Sequence, residues 1–189
     1  MLTQTLQDRG GSFDISVRKA ATGSPVVLFS VGSGGQPERL STLLDALTAS
    51  GAIGVGHSIG AATLVAMAGG QMWLGPGRRV SIAQDSRLAR LALLAPPTGF
   101  FQAPAALDAV RIPVLAWVGS ADSITPPAQA EWLARAMHDW NVVDVRITEG
   151  AGHFSFMDVP PPHTTEPLPD KQAFMQAYSS DICKFVGAA

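Results

Sequence analysis

The chain has 189 residues, of which 47% are hydrophobic and 15% charged, and 13 basic against 15 acidic residues give a formal net charge of −2. This balance favours one folded domain over residues 1–189 and argues against disorder and against a nucleic-acid-binding surface. No apolar run reaches the ~20 residues that cross a bilayer, and no signal-peptide pattern is present. A single cysteine, Cys183, excludes a disulfide within the chain. We therefore expect a soluble cytoplasmic protein that binds neither nucleic acid nor membrane.

The predicted elements begin with strands of two kinds. Phe13–Val17 alternates apolar and polar residues, which predicts a half-buried strand at a sheet edge. Pro25–Val31 and Ile112–Val118 are almost continuously apolar, as expected for parallel strands that helices cover on both faces. Further strands are predicted at Ala52–Gly56, Leu91–Ala95 and Val142–Thr148.

Segments with helical spacing of apolar residues separate these strands, at Leu40–Leu47, Ala130–Met137 and Phe174–Phe185. The alternation of strand and helix predicts an α/β protein with a mostly parallel sheet between two helical layers. Pro160–Pro169 is predicted to be a stiff loop within the domain.

The segment Gly56-His57-Ser58-Ile59-Gly60 fits the pattern G-x-S-x-G. An apolar run precedes Ser58 and an alanine-rich helical stretch, Ala61–Ala68, follows it, which is the strand–turn–helix context of a nucleophile elbow. Glycines two residues on either side of the serine leave room for the neighbouring strand and helix. This context predicts Ser58 as a nucleophile. The alternative is a Gly/Ser helix N-terminus that binds a phosphate or no ligand.

A serine nucleophile needs a base and a group that orients the base. Asp122 follows the interior strand Ile112–Val118, at the edge where α/β sheets place ligand groups, and we predict it as the orienting acid. The alternative role for Asp122 is to cap the helix that begins near Pro126. The loop after Leu91–Ala95 contains no carboxylate that could replace it.

Of the four histidines, only His153 and His163 follow the last predicted strand, as the chain order serine, acid, histidine requires. We predict His153 as the base because its glycine-rich loop can bring the imidazole over the sheet, whereas His163 lies in the proline loop. His57 is interpreted as a packing or pocket residue, and His138 as a cation at a helix C-terminus.

A metal site formed by His153, Asp158 and His163 would have a spacing that matches no familiar ligand pattern, so we expect neither a metal nor a cofactor. An oxyanion hole is predicted from two backbone N–H groups, those of Ile59 and Ser33. Ser33 lies in a glycine-rich segment after Pro25–Val31, which is also compatible with a plain turn between strand and helix.

Taken in order, these motifs resemble the α/β-hydrolase superfamily, particularly its dienelactone-hydrolase-like and small carboxylesterase branches. The segments that carry the resemblance are Phe29–Gly35, Gly56–Ala62, Ile112–Pro127 and Gly150–Phe154. The resemblance implies an α/β-hydrolase fold that carries a Ser-His-Asp triad. Dienelactone hydrolase itself uses a cysteine nucleophile, whereas position 58 is serine.

The sequence departs from the family pattern in two places. The family's oxyanion loop usually begins His-Gly, whereas here it begins Val31-Gly32. Family members also insert a strand and a helix before the nucleophile strand, but here Ala46–Gly51 runs directly into Ala52–Val55. One right-handed crossover through Leu40–Leu47 could still join two neighbouring strands, so we predict a minimal form of the fold.

The resulting hypothesis is a serine hydrolase of small esters, lactones or thioesters, in which His153 deprotonates Ser58 and an acyl-enzyme forms. The alternative is a non-catalytic scaffold or binding module of the same fold, and a peptidase or other hydrolase ranks third. We expect a shallow substrate pocket because the segment that follows Leu91–Ala95 is too short for a lid. Its predicted walls are Phe100, Phe101, Phe154 and Met157.

Overall fold

The computed structural model of the protein describes residues 2–8, 11–17, 28–30 and 54–187. Its strands are β1 (Leu2–Asp8), β2 (Gly11–Val17), β3 (Leu28–Ser30), β4 (Gly54–His57), β5 (Leu91–Leu94), β6 (Val114–Gly119) and β7 (Val143–Thr148). Its helices are α1 (Ile59–Met67), a 3₁₀ helix (Thr98–Phe101), α2 (Pro127–Met137) and α3 (Lys171–Gly187). The predicted helix Leu40–Leu47, the Ser33 loop and the predicted shortening before β4 lie outside the described residues.

Among the described residues, the main sheet has five parallel strands in the order β3-β4-β5-β6-β7, so each strand is hydrogen-bonded to the next described strand. The strand that contains Leu28 pairs directly with the one that leads to Ser58, in the register Leu28 to Gly54. The predicted parallel α/β sheet is therefore confirmed, as is the expectation that these two strands are neighbours.

The core lies on both faces of this sheet because its central strands β5 and β6 are apolar throughout. Leu91 and Leu93 pack with α1 and α2 on one face, whereas Ala92 and Leu94 pack with α3 on the other. Side chains of successive strand residues point to opposite faces, so an uninterrupted apolar run contributes to both layers. The described residues thus form the three layers that the sequence predicts.

Helix α3 is amphipathic, with Tyr178, Ile182 and Val186 buried against the sheet at four-residue spacing. Helix α1 differs, because six of its residues between Gly60 and Ala66 are buried and it has no polar stripe. Such a helix is enclosed on nearly all sides. In the described part of the chain, no helix combines the length and apolarity that a bilayer span requires.

The N-terminal segment Phe13–Val17 is a strand, as the sequence predicts. It lies within β2, which pairs antiparallel with β1 in a two-stranded sheet, where each strand is an edge strand. Its half-burial stays a prediction. The partner strand β1 was not predicted, because Leu2 and Leu6 alone give too few apolar residues for a period of two to stand out.

Candidate active site

Three side chains from the carboxyl ends of three strands meet at one edge of the sheet. The Oγ of Ser58 lies 3.0 Å from Nε2 of His153, and Nδ1 of the same ring lies 2.8 Å from Oδ2 of Asp122. The side chains of His153 and Asp122 are 5% and 0% exposed. The structure thus brings together the three residues that the sequence singles out, in the order hydroxyl, imidazole, carboxylate.

Ser58 occupies a strained turn between β4 and α1. Its φ of 55° and ψ of −128° are rare for a residue with a side chain and cost on the order of 1–3 kcal/mol. Hydrogen bonds fix the turn: Ser58 N–H donates to the Leu94 carbonyl at 2.9 Å, and the Ser58 carbonyl accepts the N–H groups of Ala61 and Ala62. The surrounding backbone therefore determines where the hydroxyl lies.

Gly56 permits the close approach of α1 behind this turn. A Cβ at position 56 would lie 2.7 Å from the backbone nitrogen of Ala61, which cannot move without shifting the helix. We expect Gly56→Ala to lower the free energy of unfolding by about 2 kcal/mol or more, measured by chemical denaturation. Gly99→Ala is the matched control, because nothing lies within 4 Å of a Cβ there, and it should change stability by less than about 0.5 kcal/mol. Equal effects of the two substitutions would contradict this account.

Asp122 is held by a dense set of donors. Its Oδ1 accepts the N–H groups of Ile124 at 2.9 Å and Thr125 at 2.7 Å, and the Thr125 hydroxyl lies 2.8 Å from Oδ2. Burial raises the pKa of the Asp122 carboxyl, but hydrogen bonds from His153 and Thr125 outweigh it and leave that pKa below its usual value. The carboxylate is therefore ionised at neutral pH and faces the imidazole. Its amide contacts stop before α2, whose N-cap is Pro126, so Asp122 does not cap that helix.

The loop that carries His153 follows β7 and is attached to the end of β6. Ala121 N–H donates to the Ala151 carbonyl at 2.9 Å, and Gly150 N–H donates to the Ser120 hydroxyl at 2.8 Å. A Cβ on Gly119 would overlap the Ala151 carbonyl, so this close approach of loop and strand requires glycine. These contacts place His153 above the same sheet edge as Asp122.

Thr125 and Glu166 take part in the site although sequence reasoning did not select them. Besides its contact with Asp122, the buried Thr125 hydroxyl lies 3.0 Å from Nδ1 of His153. Glu166 accepts a hydrogen bond from the Ser155 hydroxyl at 2.6 Å, which fastens the proline loop to the histidine loop. Glu166 also pairs at 2.9 Å with Lys171, the first residue of α3. A hydroxyl three residues after Asp122 was a usable signal for Thr125, whereas no local pattern pointed to Glu166.

The fold of this chain is similar to those of several solved esterase structures, although its sequence has no match among family models or curated proteins. Among solved structures, an esterase domain of a Rhodothermus marinus protein aligns with a TM-score of 0.64 at 16% identity, covering 98% of this chain and 99% of that one. Thermogutta terrifontis esterase 2, phosphonylated by cyclosarin, aligns with a TM-score of 0.66 at 15% identity over 97% and 92% of the two chains.

A third structure, a protein of unknown function from Agrobacterium tumefaciens described as a candidate α/β hydrolase, aligns with a TM-score of 0.65 at 10% identity over 96% and 94%. The chain has an α/β-hydrolase-like fold. This confirms the resemblance at the level of the superfamily's fold, whereas the dienelactone-hydrolase-like branch stays a prediction. In this fold Ser58 lies at the turn between β4 and α1, Asp122 follows β6, and His153 follows β7.

The structure describes only one of the two residues predicted to form the oxyanion hole. Ile59 is the first residue of α1, where a backbone N–H has no acceptor within its own helix. Ser33 lies outside the described residues.

Within residues 54–187 and the described strands before them, no three histidine, cysteine, aspartate or glutamate side chains form a group able to hold a metal ion.

The four predicted pocket residues fall in different surroundings of the α/β-hydrolase-like fold. Phe100 lines an open cavity of about 700 Å³ together with Trp73 and Pro97. Phe154 borders a cavity of about 300 Å³ beside His153. Phe101 and Met157 are 2% and 3% exposed within the core. As walls of a substrate pocket, all four stay a prediction.

His57, the residue before the serine, is 3% exposed, and its Nε2 lies 2.9 Å from the backbone carbonyl oxygen of His153. Burial lowers the pKa of His57 from 6.5 to about 4, and the positive charge that His153 can carry adds to this effect. His57 is therefore neutral at neutral pH.

This lowered pKa predicts how stability depends on pH. In the unfolded chain His57 takes up a proton below about pH 6.5, whereas in the folded protein it does so only below about pH 4. Protonation between these values therefore favours the unfolded chain, and the stability that neutral His57 contributes is lost as the pH falls from 6.5 to 4. We expect His57→Gln to flatten the decline in the free energy of unfolding between pH 7 and 4 by up to about 3 kcal/mol. Denaturant titrations across this range measure the effect, and His138→Gln on the exposed end of α2 is the control. An unchanged slope in His57→Gln would show that other groups govern acid unfolding.

Proposed function

We propose that the protein is a serine hydrolase that cleaves small esters, lactones or thioesters through an acyl-enzyme. The observation that carries the proposal is the continuous hydrogen-bonded chain from Ser58 Oγ through His153 to Asp122 on an α/β-hydrolase-like fold. A nucleophile within hydrogen-bond reach of a base, with the base oriented by a third group, is the arrangement that acyl transfer needs.

In the first half of the reaction, the Ser58 oxygen attacks the substrate carbonyl carbon while its proton passes to Nε2 of His153. Asp122 stabilises the imidazolium that results without taking its proton. The tetrahedral intermediate carries its negative charge on the former carbonyl oxygen, which the Ile59 N–H and the Ser33 N–H are proposed to bind. When the bond to the leaving group breaks, His153 returns the proton to the leaving alcohol, or to the thiol of a thioester.

The second half repeats this sequence with water. His153 accepts a proton from a water molecule as its oxygen attacks the acyl carbon, and the collapse of the new intermediate returns that proton to Ser58 and frees the carboxylic acid. Each step moves one proton between the His153 imidazole and Ser58, the leaving group or water, so the proposed reaction requires no metal ion and no cofactor.

A covalent fluorophosphonate probe tests the proposal on the purified protein. An activated serine attacks the phosphorus of the probe, and fluoride leaves. The phosphonylation of Thermogutta terrifontis esterase 2 by cyclosarin supports the choice of reagent. We expect labelling of wild type that maps to Ser58, is lost in Ser58→Ala, and is retained in Ser86→Ala, a matched exposed serine. A folded wild-type sample that does not label supports the non-catalytic scaffold instead.

The proposed substrates have short acyl groups. Between β5 and β6 the described chain contains only a 3₁₀ helix and turns, a segment too short to supply a lid over the carboxyl end of β5. Each buried methylene adds ~0.8 kcal/mol only where there is a wall to bury it against. We expect kcat/KM on p-nitrophenyl esters to be highest at about two to four acyl carbons, in keeping with the propionate bound to Thermogutta terrifontis esterase 2. A maximum at ten or more carbons would overturn the shallow pocket but leave the triad chemistry intact.

A further inference from the structure

His57 connects the nucleophile turn with the loop of the general base. It is the last residue of β4 and the immediate neighbour of Ser58, yet its side chain points toward the backbone of His153. Because side chains alternate along a strand, His57 lies on the same face as Val55, which packs in the cluster beneath α3 together with Phe156. The His57 and Phe156 ring centroids are 6.4 Å apart. One short segment thus presents Ser58 at the sheet edge and His57 beneath the histidine loop.

The contact between His57 and His153 joins residues that are 96 positions apart in the chain. A carbonyl oxygen can only accept a hydrogen bond, so Nε2 of His57 carries the proton and donates it to the His153 carbonyl at 2.9 Å. His153 is therefore held at its backbone by His57 and at ring atom Nδ1 by Asp122 and Thr125. Two separate anchors restrict both the position of the residue and the rotation of its ring.

Other bonds to this loop do not replace the one from His57. The Gly152 N–H donates to the Ser155 hydroxyl at 2.9 Å, and the Tyr178 hydroxyl donates to the Phe156 carbonyl at 2.7 Å. These contacts hold the residues on either side of His153. The bond from His57 acts on the His153 peptide itself and comes from the residue next to the nucleophile.

We propose that His57 is a positioning residue, whose Nε2–H holds the His153 carbonyl so that the His153 ring stays within hydrogen-bond reach of Ser58 Oγ. This inference rests on the proposed hydrolase function, because it assigns His57 a part in keeping nucleophile and base aligned. A misplacement of about 1 Å between reacting groups can cost on the order of 100-fold in rate.

The electrostatics of the pair suit this role. The two rings have centroids 4.9 Å apart, and the proposed reaction places a positive charge on His153 each time it takes a proton. A second cation at that distance would oppose proton transfer to His153. Burial lowers the pKa of His57 to about 4, so the neutral ring donates its hydrogen bond without adding charge.

Two substitutions separate the hydrogen bond from the packing. His57→Leu fills the space without a donor, and His57→Gln keeps an N–H at the reach of Nε2. We expect His57→Leu to lower kcat on the best ester by about 10- to 100-fold with KM changed less than about threefold, and His57→Gln to recover kcat to within about fivefold of wild type. Full activity of His57→Leu would overturn the proposal. Equal losses in the two variants would also overturn it, because the donor would then not matter.

A substrate-free measurement distinguishes failure of this inference from failure of the proposed function. The low-field NMR resonance of the His153 Nδ1 proton, which faces Asp122, reports the placement of the ring whether or not the protein turns over esters. We expect it to shift or broaden in His57→Leu and to return in His57→Gln, and an unchanged resonance in His57→Leu would overturn the inference. If His57→Leu does not fold, His57→Asn takes its place, since its amide is polar but too short to reach the carbonyl. If the wild-type protein neither reacts with the probe nor hydrolyses esters, the proposed hydrolase function is refuted. The Nδ1 proton resonance still shows whether His57 positions the His153 ring.

Discussion

Replacing Ser58 or His153 by alanine is expected to remove nearly all ester turnover, with losses in kcat on the order of 10⁴- to 10⁶-fold. Either change breaks the 3.0 Å contact between Ser58 Oγ and His153 Nε2, so Ser58 has no base to accept its proton or His153 has no hydroxyl to activate. Because the two act as one unit, Ser58→Ala/His153→Ala should lose little more than either single variant. Initial rates on a short p-nitrophenyl ester, measured at high enzyme concentration, give all three values.

The controls for this comparison are Ser86→Ala and His138→Gln, which change exposed residues of the same types. Both should retain wild-type rates and melting temperatures. A double variant whose loss equals the product of the two single losses would mean that Ser58 and His153 act independently, and the triad assignment would then be wrong.

Replacing Asp122 by asparagine is expected to lower kcat by about 10⁴-fold. The asparagine oxygen can keep the two amide bonds that Oδ1 accepts from Ile124 and Thr125. At the other position, an N–H₂ group would face Nδ1 of His153, where Oδ2 of the carboxylate now accepts the hydrogen bond that Nδ1–H donates. The imidazole must then take the opposite tautomer, which places a proton on Nε2 and prevents it from accepting the proton of Ser58.

The matched control is Asp108→Asn on an exposed turn, which should leave both rate and stability unchanged. Steady-state kinetics and thermal melting on the same samples separate the two roles that Asp122 could have. A variant that melts earlier but keeps kcat within tenfold of wild type would show that Asp122 organises the loop before α2 and takes no part in catalysis.

The sequence was informative about the main sheet because the physics there is local and repetitive. Interior parallel strands are apolar on both faces, so β5 and β6 stand out as runs without polar residues, and the α3 residues Tyr178 and Ile182 repeat at helical spacing. The spatial proximity of Ser58, Asp122 and His153 could be predicted because the carboxyl ends of parallel strands lie at one edge of a sheet. Chain order then indicated which histidine to choose.

Other features depend on contacts between distant segments that leave no local pattern. The 2.9 Å bond from His57 joins β4 to a loop far along the chain, so a histidine beside the serine could be interpreted only as packing or pocket. The pairing of Glu166 with Ser155 likewise depends on how the proline loop folds back. The strand β1 was missed for a different reason, since a polar strand in a two-stranded sheet needs few apolar residues.

The position of β7 at the end of the described sheet has a consequence for how activity is lost. Among the described strands β7 pairs on one side only, with β6, and four of its six residues are only partly buried while two are exposed. Segments with few buried apolar contacts open at a lower free energy than the core strands, so we expect β7 and the His153 loop that follows it to open first. Heating should therefore separate the general base from a still intact serine turn, and inactivation will precede global unfolding, with amide hydrogens of β7 exchanging before those of β5.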